Sequence, residues 1–442
     1  MLTAVSIGFL AVALAGLLLA MQMPAAAVLA GIAIVATLLI WLLPVPVEAD
    51  EMLAGVFSSL FADGVAMLTQ PELWALPLAV LLGNLAFYGG IATRIHDAAA
   101  LLLRRVPGGL AVAAILGCGG FAAMTGSSVS CASTMGRICV PEMLRSGYDP
   151  RLATGSVAVG GTLGALIPPS ILFVLFGLLS GAPIGHLFIA GLLPGLMTLV
   201  AAVLAVMLWV RSEPGVAPLP GGDDPRRWQA LSAIWPAILL LVVLIAALLA
   251  GLGIVAALLS CTVLALVIGL VLHRLTGAIL WLAFRESALQ LAGLLVFLVA
   301  AALFYGMVTL SGLGVALTDW ALLAGLSPVM AMLALAVICL ILGTFIEPVG
   351  LLALILPLLV PLSGALGMEL IWVGVILVKL LEIGLITPPV GMNVFVIGNV
   401  VPAVRTGQVF AGVMRFLLPD LLVLLILILF PALVLFLPGL IR

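Results

Sequence analysis

The stretches "GTLGALIPPSIL" (Gly161–Leu172) and "EIGLITPPVGMNV" (Glu382–Val394) each set a Pro–Pro pair inside a long apolar run. Proline lacks a backbone N–H and clashes with the preceding turn, so each pair breaks a helix and frees carbonyl oxygens. Side-chain oxygens accompany the two breaks and two small-polar stretches elsewhere: Thr125, Ser127, Ser128, Thr162, Ser170, Thr344, Thr387 and Asn393. These are hard donors. With no His or Cys cluster beside them, they suit a small alkali cation better than a transition metal. Half-helix N-termini facing the breaks would expose N–H groups, which favour an anion. Holding a cation and an anion together is the chemistry this pattern can do.

Such residues need elements to hold them. Hydrophobic residues make up 66% of the 442-residue chain and charged residues 7%, where a soluble chain carries about 25% charged. Apolar runs of about 20 residues, enough to span a bilayer as helix, follow one another. The composition is that of an all-α polytopic membrane protein. Spans are expected at 2–21, 24–44, 73–92, 152–180, 183–210, 232–250, 252–272, 288–310, 371–404 and 407–439. The first is read as a retained helix, not a cleaved signal. Two stretches do not fit as simple spans: 108–141, interrupted by "TGSSVSCAST", and 328–362, interrupted by "GTFIEP". Each reads as a re-entrant helical hairpin.

The charges orient this layout. Segment 45–72 carries acids and no base, whereas 93–107, 137–151 and 211–227 each carry three Arg. Arg-bearing segments belong in the cytoplasm. Hairpin 108–141 then enters from the cytoplasm, hairpin 328–362 from outside, and both termini lie outside. Residues 212–228, "SEPGVAPLPGGDDPRRW", form a flexible cytoplasmic linker.

The two halves correspond. Thr125 and Thr344 are 219 residues apart; Gly164 and Gly384, like the two Pro–Pro pairs, are 220 apart. The first repeat covers 73–211 with hairpin 108–141, and the second covers 288–404 with hairpin 328–362. Five expected spans separate the hairpins, so the second half is inverted. Inverted repeats with discontinuous helices are the mark of secondary transporters, which bind their cargo near the bilayer midplane.

Ionisable residues inside a membrane are costly and mark function. Lys379 and Glu382 share a helix face at i, i+3 and would partly neutralise each other. They are candidates for shaping the substrate or ion site, as are Glu347 at the second hairpin tip and Ser170 at the first break. Glu142, Arg145 and Arg151 read as a cytoplasmic rim. Trp41, Trp74, Trp281 and Trp372 fall near span ends, as an aromatic belt would. The five cysteines lack metal or redox spacing and read as packing residues. Ser127–Ser128 has no local His or Asp to activate it, and no phosphate-cradling motif occurs, so no enzyme is expected and the energy must come from an ion gradient or another chain. Nothing points to nucleic acid.

Four segments carry a resemblance: "TGSSVSCASTMGRICVPEMLRSGYDPRLATGSVAVGGTLGALIPPS" (Thr125–Ser170), "GAPIGHLFIAGLLPG" (Gly181–Gly195), "EIGLITPPVGMNVFVI" (Glu382–Ile397) and "ALPLAVLLGNLAFYGGIATRIHDAA" (Ala75–Ala99). They resemble the large membrane subunit of tripartite ATP-independent periplasmic (TRAP) transporters, over most of the chain. The resemblance implies a sodium-driven importer in a bacterial or archaeal cytoplasmic membrane. It implies a small membrane subunit and an extracytoplasmic solute-binding protein as partners, and a C4-dicarboxylate or other organic acid as substrate. It also implies an elevator-type fold, with a scaffold and a mobile domain holding both hairpins. Carried over by motif, sodium ligands are expected at Gly126, Ser127, Ser128, Gly161 and Thr162, and at Gly343, Thr344, Thr387, Pro389, Gly391 and Asn393. The resemblance leads one to expect Asp where Glu347 stands. Two rival readings are a stand-alone sodium/divalent-anion symporter, whose Ser-Asn-Thr hairpin motif is missing here, and a channel or scaffold subunit without transport of its own.

Overall fold

The computed structural model describes residues 3–42, 69–125, 127–218 and 232–440. The acidic residues of 45–68, the candidate ligand Gly126 and the linker from 219 onward lie outside them.

The described residues are helical, with no strand among them. A first pair, α1 (Ala4–Ala20) and α2 (Ala25–Trp41), is followed by α3 (Ala75–Tyr88) and a short amphipathic α4 (Ile91–Leu102). Next come the hairpin arms α5 (Gly109–Thr125) and α6 (Ser128–Arg145), the half-helices α7 (Pro150–Thr162) and α8 (Ile171–Ser180), and α9 (Ile184–Ser212). After the linker come α10 (Trp235–Leu249), α11 (Ile254–Val271), α12 (Gly277–Ser311) and α13 (Leu313–Leu323). The second hairpin is α14 (Pro328–Gly343) and α15 (Pro348–Ala365), followed by the half-helices α16 (Leu370–Gly384) and α17 (Met392–Val400), then α18 (Thr406–Leu429) and the single turn α19 (Ala432–Leu435).

Both expected hairpins and both expected breaks are present. Six of the described helices are long and apolar enough to cross a bilayer. The half-helices α7 and α8 have 13 and 10 residues, or about 20 and 15 Å at 1.5 Å per residue. Each is close to half of a hydrocarbon core about 30 Å thick, so the break between them falls at mid-depth. Large apolar side chains point outward along α1, α2, α10 and α11, as lipid contact requires.

The layout differs from expectation in three places. The span expected at 288–310 is the 35-residue α12, about 50 Å long, and its added N-terminal turns carry Trp281, Arg285 and Glu286. The helices α4 and α13 were not foreseen, being too short or too mixed to read as spans. Of the expected belt, Trp74 and Trp281 are exposed, but Trp372 is buried and its Nε1 donates to the Leu427 carbonyl at 3.0 Å. Trp372 is therefore a core tie between α16 and α18.

The packing repeats with the sequence. In each half the first hairpin arm packs on the half-helix that precedes the break, α5 on α7 and α14 on α16. The second arm reaches across to the other half, α6 to α17 and α15 to α8. One buried core gathers hairpin α5–α6 with α7, α17 and parts of α9 and α18. A second, larger core holds the outer helices together with hairpin α14–α15 and α16.

Of the residues expected as a charged rim, Arg151 joins a charge network between α6 and α7, while Arg145 Nε donates to the Pro141 carbonyl at 3.2 Å. The Arg151 guanidinium donates to Asp149 Oδ1 at 3.0 Å and to Glu213 at 3.5 Å; Arg415 reaches the same Glu213 at 2.5 Å. Burial raises the Asp149 carboxyl, but hydrogen bonds from Arg151 outweigh it and hold the group below the usual carboxylate range. The tie is thus present above that range and lost as pH falls through it. Glu142 faces away from this network, with Oε2 3.3 Å from Nε2 of the buried His96 on α4.

Candidate functional site

Local sequence sets each end at the two breaks. Ser127 caps α6 by accepting from the Ser130 N–H at 3.2 Å, and Ser170 caps α8 by accepting from the Phe173 N–H at 3.3 Å. Both Pro–Pro peptides are cis. At the second break the chain turns through Gly391, at φ +53°, a conformation glycine adopts without strain. The Asn393 N–H then reaches back to the Leu385 carbonyl at 3.0 Å.

Around these turns the structure brings together four of the expected residues. Ser128, at the start of α6, donates its hydroxyl to Glu382 Oε2 on α16 at 2.5 Å. Gly161, on α7, is fully covered; a methyl there would lie 3.2 Å from the Ser128 carbonyl oxygen and 3.6 Å from Asn393 Nδ2. Asn393 is fully buried and donates to the Ala158 carbonyl at 3.4 Å. Its Oδ1 is buried without a hydrogen-bond partner. Leaving a buried acceptor unsatisfied costs about 1–3 kcal/mol, so this oxygen is free for a positive partner. Hairpin one, the first break and the second break thus meet at one point.

The threonines at the turns share one habit. Thr125, Thr162, Thr344 and Thr387 each donate their hydroxyl to a carbonyl three or four residues back, at 2.6–3.1 Å. The proton being spent, each oxygen is left with lone pairs only, which is what a cation needs. Gly343 lies against Gly384, where hairpin two meets its break. Pro389 is exposed. Ser170 is fully buried and spends its oxygen on the α8 cap, so here it positions the half-helix. Glu347 is half-buried at the N-cap of α15.

One expected pairing is corrected. Lys379 does not pair with Glu382. Its Nζ forms an ion pair with Asp420 of α18 and donates to Thr198 Oγ1 of α9 at 3.0 Å. Sequence reasoning missed Asp420 and Thr198. The signal was there: an acid in the apolar run "FLLPDLLVLL", where a lone charge needs a partner. Lys379 is 1% exposed, and through these two contacts it ties α16 to α9 and α18.

A cavity of about 480 Å³, lined by apolar and polar side chains together, opens beside the tip of hairpin one, between α5, α6 and α8 on one side and α3 and α12 on the other.

The family profile described as "Tripartite ATP-independent periplasmic transporter, DctM component" matches residues 11–433. The C4-dicarboxylate TRAP transporter large permease protein DctM of Pseudomonas aeruginosa is 35% identical over 364 residues, covering 80% of this chain and 82% of that protein. The sialic acid TRAP transporter large permease protein SiaM of Vibrio cholerae is 30% identical, covering 89% of each. Among solved structures, the Alcanivorax borkumensis YdaH transporter superposes with a TM-score of 0.67 at 15% identity, over 93% of this chain and 98% of that one. That likeness is one of fold.

Proposed function

This chain belongs to the DctM-component family of tripartite ATP-independent periplasmic transporters, and from that membership we propose that it is the sodium-coupled permease subunit of an importer for carboxylate-bearing solutes. The observation that carries the coupling is the meeting of Ser128, Gly161 and Asn393, with one unpartnered buried oxygen. Sodium is then cargo, held by carbonyl and hydroxyl oxygens at the first hairpin and the two breaks. Thr344 and Thr387 are the matching donors of a second set. The relatives' solutes, a C4-dicarboxylate and sialic acid, share a carboxylate, and half-helix N-termini beside a bound cation are suited to receive one.

In this reading the repeats 73–211 and 288–404 are inverted copies. The two hairpins and two breaks move as one body against the outer helices, carrying solute and sodium across. A small membrane subunit steadies the outer helices, and an extracytoplasmic binding protein delivers the solute.

The test is uptake into proteoliposomes holding the complete transporter. Uptake is expected to need inward sodium, the small subunit and the binding protein together. Uptake that persists without the binding protein would show a stand-alone symporter instead. Asn393→Ala is expected to raise the sodium concentration for half-maximal uptake by about tenfold, equivalent to about 1.4 kcal/mol. An unchanged sodium response would remove Asn393 from the site.

A further inference from the structure

The cavity beside hairpin one has polar groups on two facing walls, set among apolar side chains such as Phe87, Phe121 and Leu294. Its α6 wall presents the hydroxyls of Ser127, Ser130 and Thr134. Its opposite wall, from α3 and α12, presents Asn84, Gln290 and Glu286. These are not idle surface groups. Asn84 is buried and donates to Ser287 Oγ at 2.9 Å and to Gln290 Oε1 at 3.3 Å, so the amides are held in place. Glu286, one turn before Gln290 on α12, lines the same wall. Among the described residues lining the cavity, Glu286 is the one charged side chain.

That single charge has the sign of the solute. A carboxylate next to an anion's second carboxylate is repulsive, and specificity is often set by such a repulsive element. A carboxylate and a carboxamide side by side instead accept from, and donate to, a hydroxyl or similar neutral donor. We propose that this cavity is the solute site and that Glu286, with Gln290, selects a monoacid bearing a hydroxyl at its far end over a dicarboxylate of similar length. The acid end sits toward the α6 hydroxyls and the α8 N-terminus at Ile171; the hydroxyl end sits toward Glu286. The proposal rests on the importer reading above for the acid end, and on the cavity for the other.

The chain supplies its own reporter. The five native cysteines are buried, so Leu289→Cys, exposed on the α12 wall of the cavity, gives one accessible thiol. Its labelling by N-ethylmaleimide in the purified full chain with sodium is the readout. 4-Hydroxybutyrate is expected to slow labelling, and succinate, a dicarboxylate of the same chain length, to need a concentration at least about tenfold higher, the cost of about 1.4 kcal/mol of repulsion. Glu286→Gln in the same background is expected to close that gap to about twofold. Gln290→Glu, one turn along the same helix face, is expected to widen it, and stands in if Glu286→Gln does not fold. Equal protection by both acids, or protection by neither, overturns the proposal. If binding-protein-dependent uptake persists in that case, the importer reading stands and only the site assignment falls. If protection is as expected but uptake ignores the binding protein, the reverse holds.

Discussion

Lys379→Met is expected to destabilise the protein by about 3–5 kcal/mol, the usual cost of breaking a buried ion pair from one side. Lys379 and Asp420 are 1% and 3% exposed, and their ion pair joins α16 to α18 while Nζ also holds Thr198 on α9. Removing the ammonium leaves the Asp420 carboxylate without compensation, and its Oδ2 already has no partner. Substituting both members apolar should behave differently, because desolvating two charges offsets most of what their attraction returns. Lys379→Met with Asp420→Leu is therefore expected to recover most of the loss. Thermal unfolding of the purified chain in detergent checks both. A single variant as stable as the parent, or a double variant no better than the single, would show that the pair does not hold these helices.

The same residue marks where sequence reasoning stopped. Positions i and i+3 on a helix lie about 60° apart, near enough to pair when the surroundings are open. Here each finds a nearer partner: Lys379 turns to α9 and α18, while Glu382 turns to Ser128 on hairpin one. A local rule cannot see partners that lie 41 and 254 residues away in the chain. Trp372 misled for the same reason, since a tryptophan near a helix end reads alike whether it meets headgroups or the Leu427 carbonyl.

The hairpins and breaks were legible because their signals are local and were repeated. Proline pairs, small-polar interruptions and the constant offset between halves all act within a few residues. Asn393 stood out as an amide oxygen beside the second break, whereas Gly161 became a site candidate only through resemblance. Their meeting depends on how α7 and α17 pack, which no spacing reveals. The wall of the solute cavity was hidden too. Glu286 sits in turns of α12 that hydropathy placed outside the span, and Asn84 lies within a run otherwise apolar.

The offset also yields the sharpest mechanical expectation. Gly164 and Gly384 occupy equivalent places, and each is pressed against the first arm of its own hairpin. A methyl at Gly164 would lie 2.1 Å from Ala122 Cβ and 2.2 Å from the Ala122 carbonyl carbon; one at Gly384 would lie 2.6 Å from the Gly343 carbonyl oxygen. The neighbours are mostly backbone and cannot rotate away, so the hairpin and the break must separate. Overpacking of this kind costs about 1–3 kcal/mol even where side chains can yield. In the proposed coupling, the displacement falls where the cation ligands have to converge. Gly164→Ala and Gly384→Ala are each expected to reduce proteoliposome uptake to background. Gly343→Ala, whose methyl meets nothing nearer than 3.3 Å, should lose much less. Gly31→Ala, on α2, meets nothing within 4 Å; it should transport like the parent and gain up to about 1 kcal/mol from helix propensity. The ordering separates a local clash from a general effect of added methyls. Uptake by Gly384→Ala equal to that of Gly31→Ala would mean that hairpin two need not close on its break for transport.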